Sequence, residues 1–385
     1  ALFTAGVAAF FLIAQPEAFP LRWLPILICI VLASKIQGTL FAFLYGRNEI
    51  ARFSVRELLR SSLTFFLILG LYAWTRNLDA ALWALAINAV ALMLLAIWWS
   101  RKALFRRWTR LPFREFRPYF LFGLTFYIPT VLLFFLQRAA PLFIRGLTGR
   151  YELIAPYDLA NQFLMTTGMF LGLIFTTLVP ALSKLHAAHR EEEVLAWNRL
   201  ALAWCGAVAF VVYGGLLYLG RPAIGLLLGP AFADTYRVAV ITGLAFTPML
   251  ISQMGLNFSV VRKKPSAYAL STAFGALAMT LFSLLLIPRW KAEGAAWATL
   301  AGHSAVALVY AAVFRKPFLT MLRDFLAVTG LGLLLMLPAV GLGDRLPLLL
   351  TAGAGALLLY LGALAALGIL RSQTVRTVIR AVRMK

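Results

Sequence analysis

Two cations stand in this sequence where charge is least welcome. Lys35 is the single formal charge in LPILICIVLASKIQGTLFAFLY (Leu24–Tyr45), and Arg138 interrupts the apolar run FFLQRAAPLFI. A charged side chain at the centre of a bilayer costs about 2.5–3.5 kcal/mol on insertion scales, so it faces a cavity or a partner. An ammonium there would meet an anionic headgroup as a point charge. A guanidinium would grip a phosphate through two parallel N–H···O bonds. Around Lys35 the helical neighbours are Val31, Gly38 and Thr39, and Gly38 leaves room beside the charge. Its other reading is a salt bridge inside a helix bundle. Asp158 lies as far beyond Thr148, the centre of a hairpin, as Arg138 lies before it, which puts both at similar depth on adjacent antiparallel helices. Again two readings stand: a structural Arg138–Asp158 ion pair, or Arg138 on a phosphate with Asp158 as a counter-charge or coupling-ion site. Gln137 and Asn161 would add neutral hydrogen bonds to nearby hydroxyls.

These residues need helices to hold them. Of 385 residues 62% are hydrophobic, and mean hydropathy is +0.87. A soluble domain is about half apolar. Apolar runs recur along the chain, each long enough to cross a hydrocarbon core of about 30 Å. The sequence therefore predicts an all-α, polytopic membrane protein. Hydropathy places twelve helices near 1–14, 23–45, 60–75, 79–100, 119–144, 153–182, 194–219, 236–261, 266–287, 293–314, 324–341 and 346–370. Pro129, Pro248 and Pro338 fall inside three of them, where a missing N–H permits bending.

The net charge is +22. In a soluble protein that would suggest nucleic acid, but no aromatic interleaving or fold signature supports a nucleic-acid partner. Instead the basic residues crowd alternate loops: Arg47 to Arg60, Arg101 to Arg117, Lys184 to Arg199, Arg262 to Lys264, Arg315 to Arg323, and the tail Arg371 to Lys385. The positive-inside rule makes those loops and the C-terminus cytoplasmic, in a multi-pass cytoplasmic-membrane protein. DAALWALAINAVALMLLAIWWSRK (79–102) aligns without gaps on EGAAWATLAGHSAVALVYAAVFRK (293–316), pairing Asp79 with Glu293 and Trp83 with Trp297. Both copies run outside to inside. Such a parallel repeat implies two pseudo-symmetric lobes about an axis along the membrane normal, with a central cavity between them.

Four further stretches carry a family resemblance: GRYELIAPYDLANQF (149–163), LVPALSKL (178–185), LLLGPAFADT (226–235) and IPRWKAEGAAWATL (287–300). In their order and spacing the chain resembles the polysaccharide and lipid-linked oligosaccharide flippases, O-antigen type, of the multidrug/oligosaccharidyl-lipid/polysaccharide exporter superfamily. The resemblance implies twelve or fourteen helices in two six-helix lobes, and makes the first helix here the third of fourteen, with two more expected before it. It divides the chain into an N-lobe (1–117, about four helices), a C-lobe (118–323, about six) and two additional helices with a basic tail (324–385). It implies a flippase that moves an undecaprenyl-pyrophosphate oligosaccharide by alternating access, its pyrophosphate drawn to Lys35 and Arg138 and its tail to the last two helices. Implied partners are the lipid-linked glycan, membrane lipids and other glycan-assembly membrane proteins; no cofactor is implied, and the coupling ion, H+ or Na+, is left open. Where the family motif has a small residue before the tyrosine, Pro156 precedes Tyr157 here.

Other chemistry is poorly supported. His186 and His189 form an HxxH pair ahead of Glu191, Glu192 and Glu193, in a loop where a solvated charged face is expected rather than a metal site. His303 sits among Ala and Gly as a packed helix residue. Cys29 and Cys205 lie within apolar helices, which argues against a disulfide framework. No catalytic Ser-His-Asp set, carboxylate pair or Gly-rich phosphate loop occurs in a fitting context. Two alternatives to a glycan flippase remain. A multidrug or metabolite cation antiporter of the same superfamily would want buried carboxylates, and only Asp158 qualifies. A membrane glycosyltransferase or polymerase would want clustered acids or a large external loop, and neither is seen, so the protein is not expected to be an enzyme.

Overall fold

The computed structural model describes residues 23–46, 50–77, 79–104, 113–341 and 346–366. The helix expected at 1–14 and the basic tail from 371 lie outside them. Among the described residues every regular element is helical and none is a strand. That follows from the solvent: in hydrocarbon each backbone N–H and C=O must find a partner within its own segment. Six helices are long and apolar enough to cross a membrane among the described residues, or eight if each of two bent pairs is one span. The chain divides into two compact units, Ala1–Pro112 and Phe113–Lys385.

The first unit contains α1 (Leu24–Gly46), α2 (Ile50–Thr75) and α3 (Asp79–Leu104). Helix α1 buries Ala33, Gln37, Phe41 and Leu44, one stripe at helical spacing, against α3. On α3 the buried stripe is Ala80, Ala84, Asn88, Leu92, Ala96 and Ser100, one residue every four. Its small side chains let the two backbones approach closely. Phe41 meets Trp99 edge to face, with ring centroids 5.9 Å apart. The Trp23 indole N–H donates to the Asp79 carboxylate at 3.0 Å, which ties the start of α1 to the start of α3. Helix α2 begins ten residues before the expected position 60. Hydropathy reports only the apolar stretch, whereas Arg and Glu are good helix formers and carry the helix back through the basic segment.

The second unit holds α4 (Phe113–Arg138), α5 (Ala140–Thr148), α6 (Ile154–Ala187), α7 (Glu191–Leu228), a 3-10 turn (Pro230–Phe232), α8 (Ala233–Gly243), α9 (Phe246–Val261), α10 (Pro265–Gly341) and α11 (Leu346–Ala366). Two expected single helices are broken. The helix expected at 119–144 is α4 and α5, bent by 53° at Ala139; the one expected at 236–261 is α8 and α9, bent by 44°. At the second break Pro248 has no N–H to return to the Leu244 carbonyl. The Leu244 N–H tightens onto Ile241, and the Val240 carbonyl it abandons accepts the Tyr213 hydroxyl at 3.1 Å. Conversely, three expected helices run together as α10, interrupted only at Lys291 (φ 51°, ψ −123°) and Arg315 (φ 48°, ψ −132°). Each turn is a single residue, too short for hydropathy to fix where one helix yields to the next.

The α10 segments on either side of Lys291 cross at two glycines. A Cβ on Gly302 would stand 2.4 Å from Leu136 Cδ1 and 3.2 Å from the Gly275 carbonyl; one on Gly275 would stand 2.3 Å from Val306. The sequence's small-residue stretch around GHSAVALVYAA thus serves close packing. At one end of this unit, Glu191 binds His186 in the α6–α7 turn and accepts from Arg262 Nη2 at 2.7 Å. Arg262 also lies over the Phe258 ring at 4.2 Å. The HxxH segment is therefore engaged in joining two turns. Gly302→Val should overpack the crossing and cost about 1–3 kcal/mol. A lower apparent unfolding temperature in detergent is the expected readout; an unchanged one would mean the helices separate freely there.

Candidate functional site

Lys35 lies in α1 on the face opposite the α3 seam, exposed, among the exposed apolar residues Ile28, Leu32, Ile36 and Phe43. Its backbone carbonyl accepts the Thr39 hydroxyl at 3.0 Å, and nothing lies within 4 Å of the position a Cβ would take on Gly38. The ammonium has room.

On the other side of α1, facing α2 and α3, the first unit holds an open, mixed polar and apolar chamber of about 600 Å3. Gln37, Arg56, Arg60, Thr64 and Asn88 line it, and Lys35 does not. Gln37 and Asn88 are both about 95% buried, and among the described residues neither Gln37 Oε1 nor Asn88 Oδ1 has a hydrogen-bond partner. The Asn88 amide nitrogen donates to the Arg60 carbonyl and the Thr64 hydroxyl. The Arg56 guanidinium lies over the buried Phe41 ring, 5.1 Å from its centroid. Sequence reading missed this group because Arg56 and Arg60 belong to a basic segment that the positive-inside rule explains unaided. The signal was available in Gln37 and Asn88, polar residues on the seam stripes of two otherwise apolar helices.

In the second unit the site is organised by the α4–α5 bend. Pro141 has no N–H, so the Gln137 carbonyl four residues earlier loses its helical donor. Asn161, almost fully buried on α6, replaces it: its Nδ2 donates to the Gln137 carbonyl at 3.2 Å, and its Oδ1 is left without a partner. Pro156 sits in the first turn of α6, where its missing N–H breaks no helical bond. Arg138, the last residue of α4, is exposed at the bend, and Asp158 is exposed one turn before Asn161. Among the described residues no ion pair joins them. Tyr157, buried and hydrogen-bonded to Thr299 at 2.8 Å, lies within electrostatic reach of both. The structure thus brings Gln137, Arg138, Asp158 and Asn161 to one bend.

The Gln137 side chain lines a cavity of about 20 Å3, the size of a water molecule, with Ser252, Gln253, Tyr268 and His303. His303 is buried and neither ring nitrogen has a protein partner. A larger, apolar groove of about 300 Å3 runs between α7, the last segment of α10 and α11, bounded by Phe210, Tyr218, Leu335 and Tyr360. The Tyr218 hydroxyl donates to the Leu335 carbonyl across it at 3.2 Å. Among the described residues no group of three His, Cys, Asp or Glu could hold a metal ion.

Residues 2–186 match the family model described as polysaccharide biosynthesis protein. Over those residues the match agrees with the resemblance in its coarser form, to membrane proteins of polysaccharide biosynthesis. A curated relative, an uncharacterized membrane protein YabM of Bacillus subtilis (strain 168), is 25% identical over 351 residues, covering 80% of this chain. The chain spans 64% of that relative's length. Among solved structures the fold is shared with the lipid II flippase MurJ in an inward closed conformation, at a TM-score of 0.61 and 14% identity, over 87% of this chain and 70% of that one.

The Asn161–Gln137 bond makes a two-mutation test. Asn161→Leu strands the Gln137 carbonyl and should cost about 1–3 kcal/mol. In a Pro141→Ala background residue 141 regains its N–H, and the same Asn161→Leu change should cost far less. Equal losses of thermal stability in both backgrounds would show that Asn161 acts elsewhere.

Proposed function

We propose that this protein carries the headgroup of a lipid-linked oligosaccharide, of the undecaprenyl-pyrophosphate type, across the cytoplasmic membrane by alternating access. The observation that carries the reading is Arg138: a guanidinium exposed at a mid-helix bend, making no ion pair with the carboxylate beside it. A cation at that depth that makes no ion pair among the described residues is suited to a ligand that brings its own counter-charge, and pyrophosphate does so with oxygens spaced for bidentate Arg contacts. In the first unit Lys35, exposed on α1 with open space at Gly38, is by itself suited to meet an anionic headgroup as a point charge. At the same bend Gln137 and Asn161 are the neutral polar side chains this reading assigns to sugar hydroxyls. The groove beside α11 offers an apolar bed for the isoprenoid tail, and Asp158 is placed to exchange with substrate or to hold a coupling proton or Na+.

The bends at Ala139 and at Leu244–Ala245 give helices that turn without exposing backbone, as a rocking transporter needs. On this reading the C-terminus is cytoplasmic, the protein makes and breaks no covalent bond, and glycan-assembly enzymes of the same membrane supply and receive its substrate. Asp158 would favour an organic cation as substrate instead, but it is one carboxylate set against Lys35 and Arg138.

Lys35→Ala and Arg138→Ala should each weaken binding of a short-chain isoprenyl-pyrophosphate saccharide to the purified protein at least tenfold. Arg138→Lys should recover only part of the loss, because an ammonium cannot reproduce the bidentate grip. Undiminished binding in both alanine variants would remove the cations from the site.

A further inference from the structure

We propose that the exposed face of α6 beyond the α4–α5 bend is a sugar track, on which Gln162 and Thr166 bind hydroxyls of the saccharide whose pyrophosphate meets Arg138. The track deepens the function proposed above and rests on it for the pyrophosphate. Asp158, Gln162 and Thr166 stand four residues apart on α6, and each is exposed. That spacing puts them on one face of the helix, about 6 Å apart along its axis from one to the next. Asn161, one residue before Gln162, is buried, with its Nδ2 on the Gln137 carbonyl. The two amides divide the work: Asn161 holds the bend, and Gln162 faces outward beside it.

Helix α6 is long and apolar enough to cross a membrane, so a polar face on it needs a reason. A carboxylate at membrane depth faces water or a partner rather than hydrocarbon, and Asp158 makes no ion pair among the described residues. Residues four and eight positions later on the same face share its surroundings. Among the described residues the Gln162 side chain makes one hydrogen bond, from Nε2 to Thr166 Oγ1 at 3.5 Å, which is long for such a bond. An amide so weakly answered is costly against hydrocarbon. Against a sugar it is well matched, because amide, hydroxyl and sugar hydroxyls all donate and accept without charge. Past Thr166 the exposed positions turn apolar at Met169 and Phe170. Further on, Thr176 and Thr177 give their hydroxyl hydrogens to carbonyls of their own helix. The outward polar groups are thus confined to the two turns that follow Asp158.

The test uses the full chain in neutral-lipid nanodiscs, with binding measured for farnesyl pyrophosphate with and without an attached sugar, and with the unfolding temperature followed alongside. The wild type should hold the sugar-bearing probe about tenfold more tightly than the bare one. Gln162→Leu and Thr166→Val should each lower that ratio about threefold, the size of one hydrogen bond, in protein that unfolds at the wild-type temperature. Arg138→Ala should weaken both probes. If Arg138→Ala weakens both but the ratio survives Gln162→Leu and Thr166→Val, the track is wrong and the pyrophosphate reading stands. If the ratio falls in the α6 variants while Arg138→Ala weakens neither probe, the track stands and the role of Arg138 is wrong. A residue facing lipid would behave differently: Gln162→Leu would raise the unfolding temperature and leave the ratio alone. That result, or equal binding of the two probes by the wild type, overturns the proposal.

Discussion

Pro141 takes one N–H away from the Gln137 carbonyl, and in hydrocarbon no water replaces it. The second unit's site is arranged around that debt. Asn161 crosses from α6 to supply the missing donor, which fixes where α4 ends, where α5 departs at 53°, and how far α6 stands from both. Arg138 is the residue stranded at the corner. Within a straight helix its side chain would be one of a continuous apolar ring; at the break it stands exposed, and the bond that permits the bend lies one residue away. Charge and hinge share one position because the same proline creates both conditions.

Similar reasoning links the rest of the chain. At the other bent pair Pro248 withholds an N–H from the Leu244 carbonyl, the Tyr213 hydroxyl from α7 takes up the Val240 carbonyl that the Leu244 N–H leaves, and the helix turns by 44°. In the first unit the unanswered groups are on side chains rather than backbone: Gln37 and Asn88 occupy the close-packed seams of α1 and α3, and among the described residues Gln37 Oε1 and Asn88 Oδ1 are buried without a hydrogen-bond partner. Polar groups at this depth are kept either because a neighbour answers them or because a ligand does. Asn161 Nδ2 is of the first kind. In the proposed function Arg138 is of the second.

Much of this was legible in the sequence, and the part that was not has a physical explanation. Composition alone gives the all-α membrane class, because hydropathy measures the burial that decides it. The spacing of Arg138 and Asp158 about Thr148 places them at one bend, but spacing cannot say whether they touch, and they do not pair. Asn161 reads as a sugar contact by type; its bond to Gln137 depends on a proline on another helix. The chamber escaped because Arg56 and Arg60 are excused by topology, and α2 starts earlier than its apolar run. His303 reads as a packed residue and is buried, yet its ring nitrogens find no partner beside a water-sized cavity, which no single-helix pattern reveals.

The central claim is movement of an anionic glycan headgroup across a bilayer. Purified protein in liposomes containing a fluorescent short-chain isoprenyl-pyrophosphate saccharide, with a membrane-impermeant quencher added outside, reads that movement directly. The account predicts that the inner-leaflet pool becomes quenchable faster than in empty liposomes, with the lipid recovered chemically intact, and that a cationic lipid of equal chain length is not moved. Traffic no faster than in empty liposomes, or recovery of a covalently altered saccharide, would contradict it.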